Sequence, residues 1–269
     1  MSRRHRDPVF APAALVAAAL LLTSGTSDRL HLAGVALGAP VTDVVTLHGA
    51  PGLVATTDDG IEWRWFDATG IDVDLLTDDG LIVRQVLVAR PEPVRGVAAP
   101  LVQPPEFPLL DAQASVAAKH MASVGARHLV EPEDTVSAWR VGADVLVLEL
   151  VYANVNKLLA LDDNAAVRFG YVAGQVQAQF RAPRLVRQFA IDYPKRALAQ
   201  RAQGVVVVAT DLSEAGTVSH VRVVVSSGNA DIDAAETLSM RRSTFEPARC
   251  AGVPCASVYV DREEYSLGP

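Results

Sequence analysis

Tyr193-Pro194, Gly204, Ser213-Glu214-Ala215-Gly216, Ser226-Ser227-Gly228, Ile232-Asp233, Phe245-Glu246-Pro247-Ala248 and Gly252-Val253-Pro254 punctuate the last third of the chain in that order. Each sits where a helix or strand has to begin or end. Pro194 suits a first helical position after Asp192 as cap, and Gly204 stops that helix after Gln203. Val205 to Leu212 then reads as a strand, residues 213–216 as a turn, and Thr217 to Ser226 as the returning strand. Asp231 opens a second helix that runs through Arg242. Phe245 to Arg249 and Cys255 to Asp261 are strand-like around a tight turn. The sum is helix, hairpin, helix, strands: a small α+β domain on an antiparallel sheet.

Working outward, residues 28–89 read as a separate module. Val41 to His48 has helical spacing, with Val41, Val44, Val45 and Leu47 apolar, and ends at Gly49-Ala50-Pro51. Ile61–Phe66, Ile71–Leu75 and Leu81–Val86 alternate apolar and polar residues. Asp67-Ala68-Thr69-Gly70 and Thr77-Asp78-Asp79-Gly80 separate them, which predicts a meander of hairpins. Residues 90–108 carry six prolines and form a semi-rigid spacer whose reach is on the order of 60 Å at ~3.1 Å per residue. Residues 109–180 repeat the plan of the first module. A helix from Asp111 to Val124 is followed by Gly125-Ala126 and by strands at Val136–Val141, Val145–Tyr152 and Lys157–Leu161.

The 269 residues are half hydrophobic, a fifth charged, and carry a net charge of −7. Such a chain builds packed cores, and its acidity argues against nucleic acid as the partner. Arg3, Arg4 and Arg6 precede an apolar stretch from Val9 to Leu22 and the small residues Thr23 to Ser27. Residues 1–27 therefore read as a signal peptide in preference to a short retained anchor. Cys250 and Cys255 are the only cysteines, which excludes a lipid-modified cysteine after that stretch. In an oxidising compartment the two are expected to form a disulfide across residues 251–254.

Few residues of the chain are arranged for catalytic chemistry. His5, His31, His48, His120, His128 and His220 have no metal-ligand spacing, and Asp58-Asp59-Gly60 and Asp78-Asp79-Gly80 lack the following acid of a calcium loop. Ser226-Ser227-Gly228 lacks a nucleophile elbow and serves equally well as a helix cap. No phosphate-binding loop is present. The chain is expected to be no enzyme and to need neither metal nor cofactor.

The ordered set from Tyr193 to Gly252 resembles the C-terminal domain of the TonB family, over about residues 184–265. The first module, through Leu37-Gly38-Ala39-Pro40, Asp43-Val44, His48-Gly49-Ala50-Pro51 and Trp63-Arg64-Trp65, more weakly resembles the envelope modules related to beta-lactamase-inhibitor protein and to the SmpA/OmlA lipoproteins. The fold expected is α+β, with two helix-plus-three-strand modules and a TonB-like domain over 183–269. The TonB resemblance implies a periplasmic domain whose last strand is an open sheet edge that captures a partner peptide by strand addition. Carried over, the pairing residues are Ser257, Val258, Tyr259 and Val260. Asp261-Arg262-Glu263-Glu264 after them would discourage unwanted pairing, and Phe245, Pro247 and Ala248 would be core and turn residues. The implied partners are an outer-membrane receptor or other envelope protein and an inner-membrane proton-channel motor, with a homodimer also allowed. Two features depart from an energy transducer: the apolar stretch at 9–22 is short, and the spacer leads into another folded module. The alternative is an envelope-assembly or inhibitor-like scaffold whose N-terminal modules do the binding.

Overall fold

The computed structural model describes residues 29–66, 72–89, 113–123, 125–133, 136–151, 154–174 and 179–267. The expected signal peptide at 1–27, the turn at 67–70 and the spacer at 90–108 lie outside them.

In chain order the first module contains β1 (His31–Leu32), β2 (Val35–Ala36), α1 (Val41–His48), β3 (Leu53–Thr57), β4 (Gly60–Phe66), β5 (Asp72–Thr77) and β6 (Val83–Ala89). The second contains α2 (Ala114–Ser123), β7 (Arg127–Glu133), β8 (Val136–Val141), β9 (Asp144–Val151), β10 (Asn154–Leu161) and α3 (Asp163–Arg168). Each meander thus gains a strand, β3 or β7, before the three expected. Both are outermost strands, where half-solvated residues such as Thr56 and Thr57 give little alternation to read.

The two meanders are joined by their last strands. Among the described residues the order is β3-β4-β5-β6-β10-β9-β8-β7, an eight-stranded antiparallel sheet with Leu87 opposite Leu159 at the join. Alternation sets its faces. Ile61, Trp63, Trp65, Val86, Val88, Leu146, Leu148 and Leu158 point to one side, where Val41 and Val44 of α1 and Ala117 and Met121 of α2 cover them. Val145, Val147 and Leu161 point to the other, where α3 covers them with Ala165 and Ala166. Being covered on both faces explains why β9, Asp144-Val-Leu-Val-Leu-Glu-Leu-Val151, is almost continuously apolar.

The C-terminal unit comprises β11 (Phe180–Arg181), β12 (Arg184–Arg187), α4 (Lys195–Ala199), β13 (Gly204–Leu212), β14 (Val218–Val225), α5 (Ala230–Arg242), β15 (Thr244–Glu246), β16 (Ala248–Cys250), β17 (Val253–Cys255) and β18 (Ser257–Tyr265). Its principal sheet is antiparallel, in the order β14-β13-β18. α5 begins at Asn229, whose side chain accepts from the N–H groups of Asp231 and Ile232. Asp231 and Asp233 in the first turn and Arg241 and Arg242 in the last complement the helix dipole. Val206, Val208, Leu212 and Val221 of the sheet pack with Ile232 and Met240 of α5. The opposite face, through Val207, Ala209, Val225, Val258 and Val260, joins the core of the first module. The three-stranded sheet is therefore packed on both sides.

Several punctuation residues act differently from the sequence expectation. Asp192 does not cap α4, which starts after Pro194 with no side-chain cap and lasts five residues. Past its end Arg201 takes the left-handed region at φ 53°, and the Tyr193 hydroxyl closes the turn by donating to the Ala202 carbonyl. Gly204 serves as a point of close approach: a Cβ there would lie 2.4 Å from the Ser227 carbonyl oxygen. Gly216 keeps its turn role, with φ +75° and an added Cβ 2.6 Å from the Phe245 carbonyl oxygen. Gly216→Ala should therefore destabilise the protein by about 1–3 kcal/mol, measured by urea unfolding. An unchanged midpoint would contradict the tight packing of this turn on Phe245. The Cys250–Cys255 disulfide is present, with Cα atoms 5.8 Å apart, spanning the hairpin of β16 and β17.

Candidate functional site

The structure brings Ser257, Val258, Tyr259 and Val260 together at the start of β18, opposite Leu212, Asp211, Thr210 and Ala209 of β13. Alternation sends Val258 and Val260 into the core shared with the first module and Tyr259 toward α5. Ser257, Val258 and Val260 are buried. β18 continues to Tyr265, so Asp261 to Glu264 lie within the strand and do not follow it.

β18 is an outer strand of its sheet, yet the expectation of an open edge is not met. The outward backbone groups of Val260 both meet Thr56 of β3: its N–H donates to Thr56 Oγ1 at 3.0 Å, and the Thr56 hydroxyl donates to its carbonyl at 3.4 Å. The Asp79 carboxylate lies beside the Val258 N–H, which acts to lower its pKa, and Arg262 Nε donates to the Pro51 carbonyl at 2.9 Å. The cause is chemical. A threonine hydroxyl both donates and accepts, so one side chain satisfies two ladder groups that a neighbouring strand would otherwise have to meet.

Asp58-Asp59 and Asp78-Asp79 are turn residues by type, and both pairs do lie at turns. They also fasten the units together. Asp58 Oδ1 accepts from Ala182 N–H at 2.8 Å, and Arg168 of α3 bonds the carbonyl of Asp59 at 2.9 Å and that residue's carboxylate. Asp78 binds Arg84 and accepts from Ile82 N–H at 3.0 Å. Burial, then the neighbouring Asp78 charge, raises the Asp79 carboxyl above its ordinary value. Nothing in a hairpin-turn dipeptide signals that its carboxylates will meet a strand far along the chain.

On the other face of β18 lies an acidic group. Glu236 of α5 is 2% exposed; Tyr265 donates to its Oε2 at 3.3 Å, and its Oε1 has no hydrogen-bond partner. Burial, followed by the charges of Asp261 and Glu263, pushes its carboxyl up to about 7. Burial and then Glu263 push Asp261 to about 6, and burial and then Asp261 push the Tyr259 hydroxyl to about 12. Among the described residues no three His, Cys, Asp or Glu side chains are placed to hold a metal ion. The histidines are dispersed: His128 packs on Trp139 at 4.4 Å, His31 meets the Arg29 carbonyl, and His220 lies 3.5 Å from Asp211. Ser226 and Ser227 both donate to Asp233, which fastens the loop to the first turn of α5.

With this geometry in place, residues 190–263 match the family model described as Gram-negative bacterial TonB protein C-terminal. This part of the chain is a TonB-family C-terminal domain, a type of domain that belongs to the cell envelope and to a non-catalytic family. The chain is similar to several solved structures, two of which follow. One is the TonB C-terminal domain of Pseudomonas aeruginosa, at 22% identity, covering 32% of this chain and 88% of that one with a TM-score of 0.28. The other is a cysteine-rich secretory protein from Staphylococcus aureus, at 11% identity, covering 50% of this chain with a TM-score of 0.37. This chain spans 46% of the length of that protein. No curated protein matches the chain. Among the described residues no helix is long and apolar enough to cross a membrane.

Proposed function

We propose that this is a non-catalytic periplasmic protein that captures an extended segment of an outer-membrane or other envelope partner by strand addition along β18. The family match over residues 190–263 carries this reading, because β18 is an outer strand of the sheet that the match covers. Main-chain groups supply most of the affinity in strand addition, so the site needs no reactive side chain. Ser257, Val258, Tyr259 and Val260 begin the receiving strand. By ladder alternation Val258, Val260, Arg262 and Glu264 turn their N–H and C=O groups away from β13. Residues 1–27 direct export in this reading. Energy transduction, with a proton-channel motor in the inner membrane, is its stronger form and requires residues 9–22 to stay as an anchor.

A second reading, an envelope-assembly or inhibitor-like scaffold, is favoured by one observation: β3 covers the first half of the β18 edge. In that case the eight-stranded sheet binds the partner, and the C-terminal domain anchors or dimerises.

The two readings separate at Glu264. This residue is exposed and faces outward, so Glu264→Pro removes one ladder donor without touching the core. Val258→Pro would be a poorer choice, since Val258 is buried. The immobilised full-length protein should retain outer-membrane proteins from a detergent extract of its own cell envelope, and Glu264→Pro should cut that retention by roughly tenfold, the worth of about one ladder hydrogen bond. Equal retention by both forms would reject capture along β18 and favour the scaffold.

A further inference from the structure

We infer that the first module is a built-in competitor for the edge of β18: Thr56 holds both outward backbone groups of Val260, Asp79 sits beside the N–H of Val258, and a strand-adding partner has to displace them. This deepens the strand-capture reading and rests on it for the identity of the displacing partner, an extended peptide. The hold itself rests on the structure alone.

The seam has an unusual construction. β3 and β18 are outer strands of two different sheets and lie side by side, yet no ladder joins them. Side chains close the gap instead: Thr56 on Val260, Asp79 on Val258, and Arg262 on the Pro51 carbonyl. The outward N–H and C=O of Val260 are thereby satisfied while the module is docked, and that part of the edge is guarded against chance pairing with other chains. Glu264 lies exposed beyond the last of these contacts, a free end from which an incoming strand can begin to pair. A strand that adds along the whole of β18 offers a regular ladder in place of three side-chain contacts. That difference drives the exchange.

The seam also sits over a packed face. Val258 and Val260 share a core with Ile61 and Trp63 of the first module. Thr56 and Asp79 are the parts of the contact that belong to the edge and not to the core. Removing them should free the edge without undocking the module.

The test is amide hydrogen exchange on the full chain, read at individual residues. In the natural sequence Val258 and Val260 should exchange slowly, comparably with the inward-facing Tyr259 and Asp261, while Glu264 exchanges fast. In the Thr56→Val/Asp79→Ala double variant, Val258 and Val260 should exchange at least tenfold faster, with Tyr259 and Asp261 unchanged as the internal check on folding. Fast exchange at Val258 and Val260 in the natural chain, or no acceleration in the variant, overturns the inference.

A second arm adds a fluorescent peptide of alternating threonine and valine, a sequence-tolerant strand former. It should bind the double variant at least tenfold more tightly than the natural chain, and equal binding by both overturns the competition. If the exchange results hold and the peptide binds neither form, the hold stands and strand capture at this edge fails.

Discussion

Glu236→Gln is expected to stabilise the folded protein by on the order of 3 kcal/mol at pH 8, and by almost nothing at pH 4.5. Glu236 is 2% exposed, one of its carboxylate oxygens lacks a partner, and its surroundings hold its carboxyl at about 7 against an ordinary value of 4.5. The folded state therefore binds this proton more tightly than the unfolded state does. Below pH 4.5 the group is protonated in both states and costs nothing. As pH rises toward 7 the unfolded chain releases the proton first, and stability falls. Above 7 the full penalty is present. At about 1.4 kcal/mol per pH unit, the gap between the two values sets the size of the effect. Glutamine keeps the shape, accepts from Tyr265 as before, and removes a like charge near Asp261 and Glu263. Urea unfolding of both forms at several pH values reads the difference directly. A gain as large at pH 4.5 as at pH 8 would show that packing, and not ionisation, is responsible.

Trp63→Ala is the second large effect, a loss of about 3–5 kcal/mol. Trp63 has no exposed surface, its indole N–H donates to Thr77 Oγ1 at 3.0 Å, and its ring stacks on Trp65 with centroids 6.4 Å apart. Truncation leaves a cavity in the core that carries both α1 and the inner face of β18, and removes the donor that meets a buried hydroxyl. Trp63→Phe should cost less than half as much, since the ring is largely kept. Chemical denaturation of the two variants checks the order. A loss under about 1 kcal/mol for alanine would mean that the site collapses freely around the missing ring.

What could be read from the sequence was local. Residues 213–216 had to turn, Asp231 had to open a helix, and residues 251–254 had to turn tightly between two cysteines. Each follows from a few neighbouring residues, and the disulfide follows from the last of them. The short α4 was less legible because its end depends on Tyr193 reaching the Ala202 carbonyl and on Arg201 accepting a left-handed backbone. Neither residue type advertises that. The covering of β18 was not legible at all. Thr56 and Asp79 are ordinary turn and strand-end residues by type, and only the docking of the first module on the C-terminal sheet gives them their partners. The acidic group was half visible: Asp261 and Glu263 read as surface charges, and it took α5 lying over them to bury Glu236.

One core contains both Leu30 and Val260. A chain whose ends meet in this way has high contact order and pays loop closure before it gains burial, so it folds slowly. During synthesis its earliest strands must wait for the last one to emerge. The incomplete chain stays open for longer than a string of independent modules would.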